Sequence, residues 1–192
     1  LAVKNTLVVG LSGRLAGLDP STGVIRWESA IATPRGTNDV ERLVDLVSPV
    51  HRVGDVVCVR AFQAAVGCVN AERGQGVWTR PSVGEIGVSG DENLLIAPLS
   101  NGVVQAWSRA TGERLWETER LKYRTLSAPL VTSRGVLVAD NGGWLYLLSL
   151  ADGALLNRIK LDSEELATAP VFAGGGYVVV TREGRVVGLQ IP

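Results

Sequence analysis

The 192-residue chain contains no methionine, one histidine, two cysteines and few aromatic residues, five of which are tryptophan. One histidine and two cysteines form no cluster with metal-ligand spacing. Two cysteines also cannot frame a chain of this length with disulfides. Charge of one sign is missing: 19 basic residues face 19 acidic ones, and no Lys/Arg run stands out. That balance argues against a nucleic-acid partner, which needs an electropositive face. No apolar stretch approaches the roughly 20 residues that cross a bilayer as a helix. No signal-peptide pattern opens the chain. A start at Leu1 with no methionine anywhere is what a processed or trimmed chain, stripped of any targeting segment, is expected to show.

What is abundant is apolar residues, at 46%, enough for a real core, and 23 glycines. The glycines mark a repeat. Asn101-Gly102-Val103-Val104-Gln105-Ala106-Trp107 continues through Ser108-Arg109-Ala110-Thr111-Gly112 to Glu113-Arg114-Leu115-Trp116. This reads as a tight turn, a strand, a second turn ending in Thr-Gly, and a strand with Trp four residues after that Gly. Earlier copies end at Trp27 and Trp78; a later one runs from Gly143 to Gly153 with Asn157 in the Trp slot. First-turn residues Gly13, Ala64, Gly102, Gly143 and Gly184 are separated by 51, 38, 41 and 41 positions. A period near forty built of short strands predicts β-propeller blades.

The predicted fold is therefore all-β: four-stranded antiparallel blades forming an incomplete arc. Blade units span roughly 1–30, 48–80, 84–118, 127–159 and 168–192, with a loop insertion at 31–47. Eighteen strands are expected, with the first unit lacking its opening strand and the last its closing one. Second strands are placed at 55–60, 93–97, 135–139 and 176–181. A helix is needed nowhere; a single turn fits only near Asp39 to Leu43. Closed propellers have roughly four to eight blades, so the open ends of this arc are expected to self-associate if the chain is studied alone.

Catalytic chemistry is sparse. His51 reads as a loop or surface histidine. Asp162, Glu164 and Glu165 read as a solvated rim rather than a general acid–base pair. The tryptophans read as blade-to-blade packing, not as stacking faces for a flat cofactor. The glycines sit at repeat turns rather than in a phosphate loop, and no cofactor is expected. The Cys58–Cys68 spacing depends on the turn between them. With a two-residue turn, Gln63-Ala64, Val59 faces Cys68 and the thiols are free and buried; a three- or five-residue loop reverses this. The repeat favours free thiols.

The units ending Asp19-Pro20-Ser21-Thr22-Gly23-Val24-Ile25-Arg26-Trp27 and Arg109-Ala110-Thr111-Gly112-Glu113-Arg114-Leu115-Trp116 resemble the repeats of quinone-enzyme-like propellers. Glu41-Arg42-Leu43-Val44-Asp45 followed by Ser48-Pro49-Val50 is more specific and resembles the acidic loop of the BamB family. Tyr123-Arg124 before Leu126-Ser127-Ala128-Pro129, and Gly142-Gly143-Trp144-Leu145-Tyr146, are similar to it as well. The resemblance covers essentially the whole chain and corresponds to the family's C-terminal half. It implies an eight-bladed ring in the periplasm, tied to the outer membrane by an N-terminal lipid outside this chain. It implies a non-enzymatic scaffold that docks on the periplasmic repeat domains of BamA, the barrel-inserting subunit; exposed sheet edges are expected to be able to receive unfolded outer-membrane proteins as well. The resemblance implies that acidic residues of the loop from Glu41 to Val47 take part in docking, and Asp45 matches one of them; Glu41, Arg42 and Asp45 are the expected partner-binding residues. The chain departs from the pattern at Val47, where the family carries a second acidic residue. A quinone-dependent dehydrogenase and an unrelated propeller adaptor are the alternative readings of the same repeats.

Overall fold

The computed structural model describes residues 1–33, 44–161 and 166–190. They contain nineteen strands and no helix. The first sheet holds β1 (Ala2–Val3), β2 (Thr6–Leu11), β3 (Arg14–Leu18) and β4 (Ile25–Ala30) in sequence order. The second holds β5 (Leu46–Val53), β6 (Val56–Ala61), β7 (Ala65–Asn70) and β8 (Gln75–Pro81). The third holds β9 (Ser89–Gly90), β10 (Leu94–Pro98), β11 (Val104–Ser108) and β12 (Arg114–Thr118). The fourth holds β13 (Leu130–Thr132), β14 (Gly135–Ala139), β15 (Trp144–Leu148) and β16 (Leu155–Lys160), and the fifth β17 (Val171–Ala173), β18 (Gly176–Val180) and β19 (Val186–Leu189). This is an incomplete β-propeller. The chain divides into two compact units, Leu1–Leu95 with Trp107–Glu113, and Ile96–Ala106 with Arg114–Pro192, so the division runs through the third sheet.

Burial explains the strand sequences. β6, β10 and β14 are buried along almost their whole length and read as apolar runs rather than alternating ones, interrupted in β6 by the buried Arg60. The fourth strands are largely exposed; in β16 only Ile159 is partly covered. In the first unit, Val8 and Leu15 pack with Val57, Val59 and Val69. In the second, Leu137, Leu145 and Leu147 pack with Tyr177 and Val179.

One local device recurs in the turn before each fourth strand. Asp19, Asn70, Ser108 and Ser149 each accept a backbone N–H from two or three residues onward through the side chain. Gly23, Gly74, Gly112 and Gly153 then close the turn at φ between 67° and 73°, where only glycine is unstrained. Trp78 lies against Gly112 and donates its indole N–H to Arg109 O at 2.7 Å. Trp116 lies against Gly153 and donates to Leu150 O at 2.8 Å. Each tryptophan thus locks onto the next blade's turn, the packing role its spacing predicts. Trp27 reaches Gly74 in the same way, but among the described residues its buried indole nitrogen has no hydrogen-bond partner.

Two expectations are corrected. The first blade has its opening strand: β1 pairs with β2 through Ala2↔Leu7 and Val3↔Thr6, giving nineteen strands among the described residues rather than eighteen. A two-residue strand is too short to show alternation. The cysteines are not free. The β6–β7 turn is a three-residue loop, so Ala61 faces Ala65 and Cys58 faces Cys68 at a Cα separation of 4.0 Å, and the two form a disulfide. Gln63 takes the positive φ, 52°, that the loop requires. Cross-linking residues 10 apart removes loop entropy from the unfolded chain. Reduction, or a double Cys→Ser variant, is expected to lower stability by about 2–3 kcal/mol, read as a shifted guanidinium midpoint with and without reductant.

Candidate rim surface

In each blade the turn between second and third strands lies beside the link to the next blade. In the first unit these segments form one hydrogen-bonded rim. Gly13 O accepts from Ile31 N at 2.9 Å and from Ala32 N at 3.1 Å. A Cβ on Gly13 would meet Ala32 O and Val44 Cγ2, each at 2.8 Å. Both feet of the long loop therefore stand on the turn at Ser12-Gly13. Asp45 O accepts from Phe62 N at 2.8 Å, which fixes the backbone while the carboxylate stays exposed. Gln63 N donates to Gly84 O at 2.9 Å, Ser82 N to Ala64 O at 3.1 Å, and Gln63 Nε2 to Glu85 Oε1 at 2.7 Å. Arg60 lies fully buried beneath, donating to Ser82 Oγ at 3.0 Å; burial lowers its guanidinium to about 10.

Of the three residues expected to contact a partner, the structure describes Asp45; Glu41, Arg42 and the helical turn considered at 39–43 lie outside the described residues, as do Asp162, Glu164 and Glu165. The rim adds residues that sequence reasoning missed. Glu85 is a second exposed carboxylate on the link that Gln63 holds to the Phe62-Gln63-Ala64 turn, and the exposed Leu11 and Val83 are apolar residues of the same segments. No repeat signature marks that link, and its tie to Gln63 exists only in space. Chemically the rim can offer fixed negative charge interleaved with apolar contact. Among the described residues, no three His, Cys, Asp or Glu side chains are placed to hold a metal ion. A cavity of about 370 Å³ between the first two sheets is lined mainly by aliphatic side chains, among them Val8, Leu15, Leu46 and Val57.

His51 is neither a loop nor a surface residue: it sits half-buried on β5 opposite Cys58. Arg109, itself buried, donates from Nη1 to His51 Nδ1 at 2.8 Å and from Nη2 to Val56 O at 2.8 Å. The imidazole must therefore be unprotonated at Nδ1. Burial first, and Arg109 second, hold the His51 pKa below its usual value, with Asp91 opposing. The unfolded chain then binds this proton more readily than the folded one. The stability contribution is complete above about pH 6.5 and is lost as the pH falls toward the depressed folded value. The melting temperature is expected to drop between about pH 7.5 and pH 5.5, and His51→Gln is expected to flatten that drop.

The family model described as outer membrane protein assembly factor BamB matches residues 1–118 and 100–191. The chain is 34% identical over 178 residues to the outer membrane protein assembly factor BamB of Burkholderia pseudomallei, covering 93% of this chain and 47% of that protein. It is 32% identical to that of Bordetella pertussis, covering 96% and 48%. The crystal structure of BamB from Moraxella catarrhalis superimposes with a TM-score of 0.89 at 23% identity, over all of this chain and 57% of that one. The C-terminal WD40 domain of Sif2 aligns at 0.75 and 12% identity, a likeness of fold alone. The chain spans about half the length of the curated relatives it matches.

Proposed function

The chain belongs to the BamB family of outer membrane protein assembly factors, and from that premise we propose that it is the docking half of a non-enzymatic periplasmic scaffold. The partner is the set of periplasmic repeat domains of BamA, and the contact is the rim of the first unit, through Glu41, Arg42 and Asp45 with Glu85 beside them. The whole protein is held at the periplasmic face of the outer membrane by an N-terminal lipid. Unfolded outer-membrane proteins are secondary ligands, met through exposed strand edges.

One observation carries this reading: the long loop is tethered at both feet to the Ser12-Gly13 turn, and the carboxylates of Asp45 and Glu85 are exposed on backbone that hydrogen bonds hold in place. Charges on a rigid rim act mainly on encounter, so reversing them slows association more than it speeds dissociation. Asp45→Lys with Glu85→Lys is expected to slow association with the BamA domains about tenfold and to reduce its salt dependence. Both side chains are exposed, so the melting temperature is expected to hold. Unchanged association kinetics in the double variant would remove this rim from the contact.

A further inference from the structure

The second unit carries a surface of different chemistry. We propose that it is a docking surface for an acidic, extended polypeptide segment. Tyr123 is 88% exposed and adopts φ 67°, a conformation that non-glycine residues enter only uphill. The loop is clamped there: Tyr123 N donates to Asn101 O at 2.7 Å, and a Cβ on Gly102 would meet Leu121 O at 2.3 Å. Lys122 Nζ lies 5.7 Å from the centroid of the ring. A rigid backbone thus holds an aromatic ring out in water at a conformational cost, the arrangement of an interface anchor.

The next residue joins this ring to a cationic face. Arg124 Nη1 meets Asp140 Oδ2 at 2.5 Å and lies 5.6 Å from the Tyr146 ring. Asp140 is fully buried and also accepts the Tyr146 hydroxyl at 2.8 Å and the N–H groups of Gly142 and Trp144, so its charge serves the scaffold. Tyr146 stacks on Trp144 at 6.5 Å. Over Trp144 lie Arg158, 4.9 Å from the ring, and Lys160, 5.5 Å from it. Both are exposed and, among the described residues, neither has a carboxylate partner. Lys122 is paired with Glu119 at 3.0 Å. Two cations that have no carboxylate partner among the described residues therefore stand on an aromatic platform, held in place rather than free to sweep through solvent.

The occupant follows from where these cations sit. Arg158 and Lys160 are two residues apart on β16, the last strand of its sheet, whose outer edge pairs with no other strand in that sheet. A strand-like segment can add to that edge by main-chain hydrogen bonds, and alternate side chains of an added strand fall at the spacing of the two cations. Carboxylates at alternate positions complement them, and an apolar residue beyond would reach Tyr123. A phosphate-bearing membrane surface would satisfy the charge but would use neither the strand edge nor the ring.

The test measures fluorescence anisotropy of a labelled peptide of about twelve residues, alternating Glu with Val and Phe, titrated with the full chain. A second peptide with Lys in place of Glu and vesicles of phosphatidylglycerol are the comparisons. The acidic peptide is expected to bind about tenfold tighter than the basic one and to weaken with salt. Arg158→Glu with Lys160→Glu is expected to abolish that preference. Tyr123→Gly is expected to weaken binding while raising the melting temperature, because glycine relieves the positive φ; a packing role would lower it. Equal binding of both peptides, binding to vesicles without binding to peptide, or a Tyr123→Gly variant that melts lower with unchanged affinity would each overturn the proposal.

Discussion

Trp116→Ala is expected to destabilise the protein by about 3–5 kcal/mol, the cost of removing a buried large side chain whose cavity cannot collapse. Collapse is resisted because Gly153 faces the indole with no side chain of its own: a Cβ there would approach Trp116 to 2.7 Å, so the ring lies directly on the turn backbone. The indole N–H also satisfies Leu150 O, which the substitution leaves exposed to a new void. Trp116→Phe separates the two effects. It keeps much of the apolar contact, loses the hydrogen bond, and is expected to cost about 1–2 kcal/mol beyond the area lost. Trp27→Phe is the control, because the buried Trp27 indole nitrogen has no partner among the described residues and its removal breaks no hydrogen bond there. Urea denaturation of the three variants reads the differences directly. A Trp27→Phe loss as large as that of Trp116→Phe would show that ring size alone, and not the hydrogen bond, makes the lock.

Gly87→Ala is the second large effect expected, about 3 kcal/mol, at the upper end of overpacking costs. A Cβ on Gly87 would lie 2.1 Å from Pro49 O and 2.4 Å from Pro49 N. These are backbone atoms of β5, and they cannot turn aside as a side-chain end would. Val88 N donates to the same Pro49 O at 2.8 Å, so separating the two segments to admit a methyl group also stretches a hydrogen bond. The contrast is Gly54, where the space is open and the strain is one of φ alone, 55°. Gly54→Ala is therefore expected to cost less, about 1–2 kcal/mol. Equal losses at the two positions would mean that the close approach at Gly87 is relieved elsewhere.

The repeat made the fold legible because the same physical problem recurs once per blade. A turn needs an αL residue and a side-chain acceptor, and the strand after it carries a large ring that covers the next blade's turn. Gly112 with Trp116 and Gly23 with Trp27 are written in the sequence for this reason. The second blade is written less clearly. Ala64 occupies the glycine slot and Gln63 carries the positive φ, so nothing in the sequence distinguishes a two-residue from a three-residue loop. That single residue of register decides whether Cys58 faces Cys68, and it is why the disulfide was not legible. β1 was hidden by its length. The rim was half legible: Asp45 belongs to a motif, whereas Glu85 joins through Gln63, across a turn that sequence spacing does not reveal.

Buried second strands and tryptophan locks build each unit, and the links between blades present charge on it. The most direct test of the central claim is a titration of the protein against the purified periplasmic domains of its own BamA at low and at high salt. The account predicts micromolar or tighter binding that weakens as salt is raised and weakens further in the Asp45→Lys, Glu85→Lys variant. Absence of binding at either salt, or tight binding indifferent to both salt and the charge reversal, would contradict it.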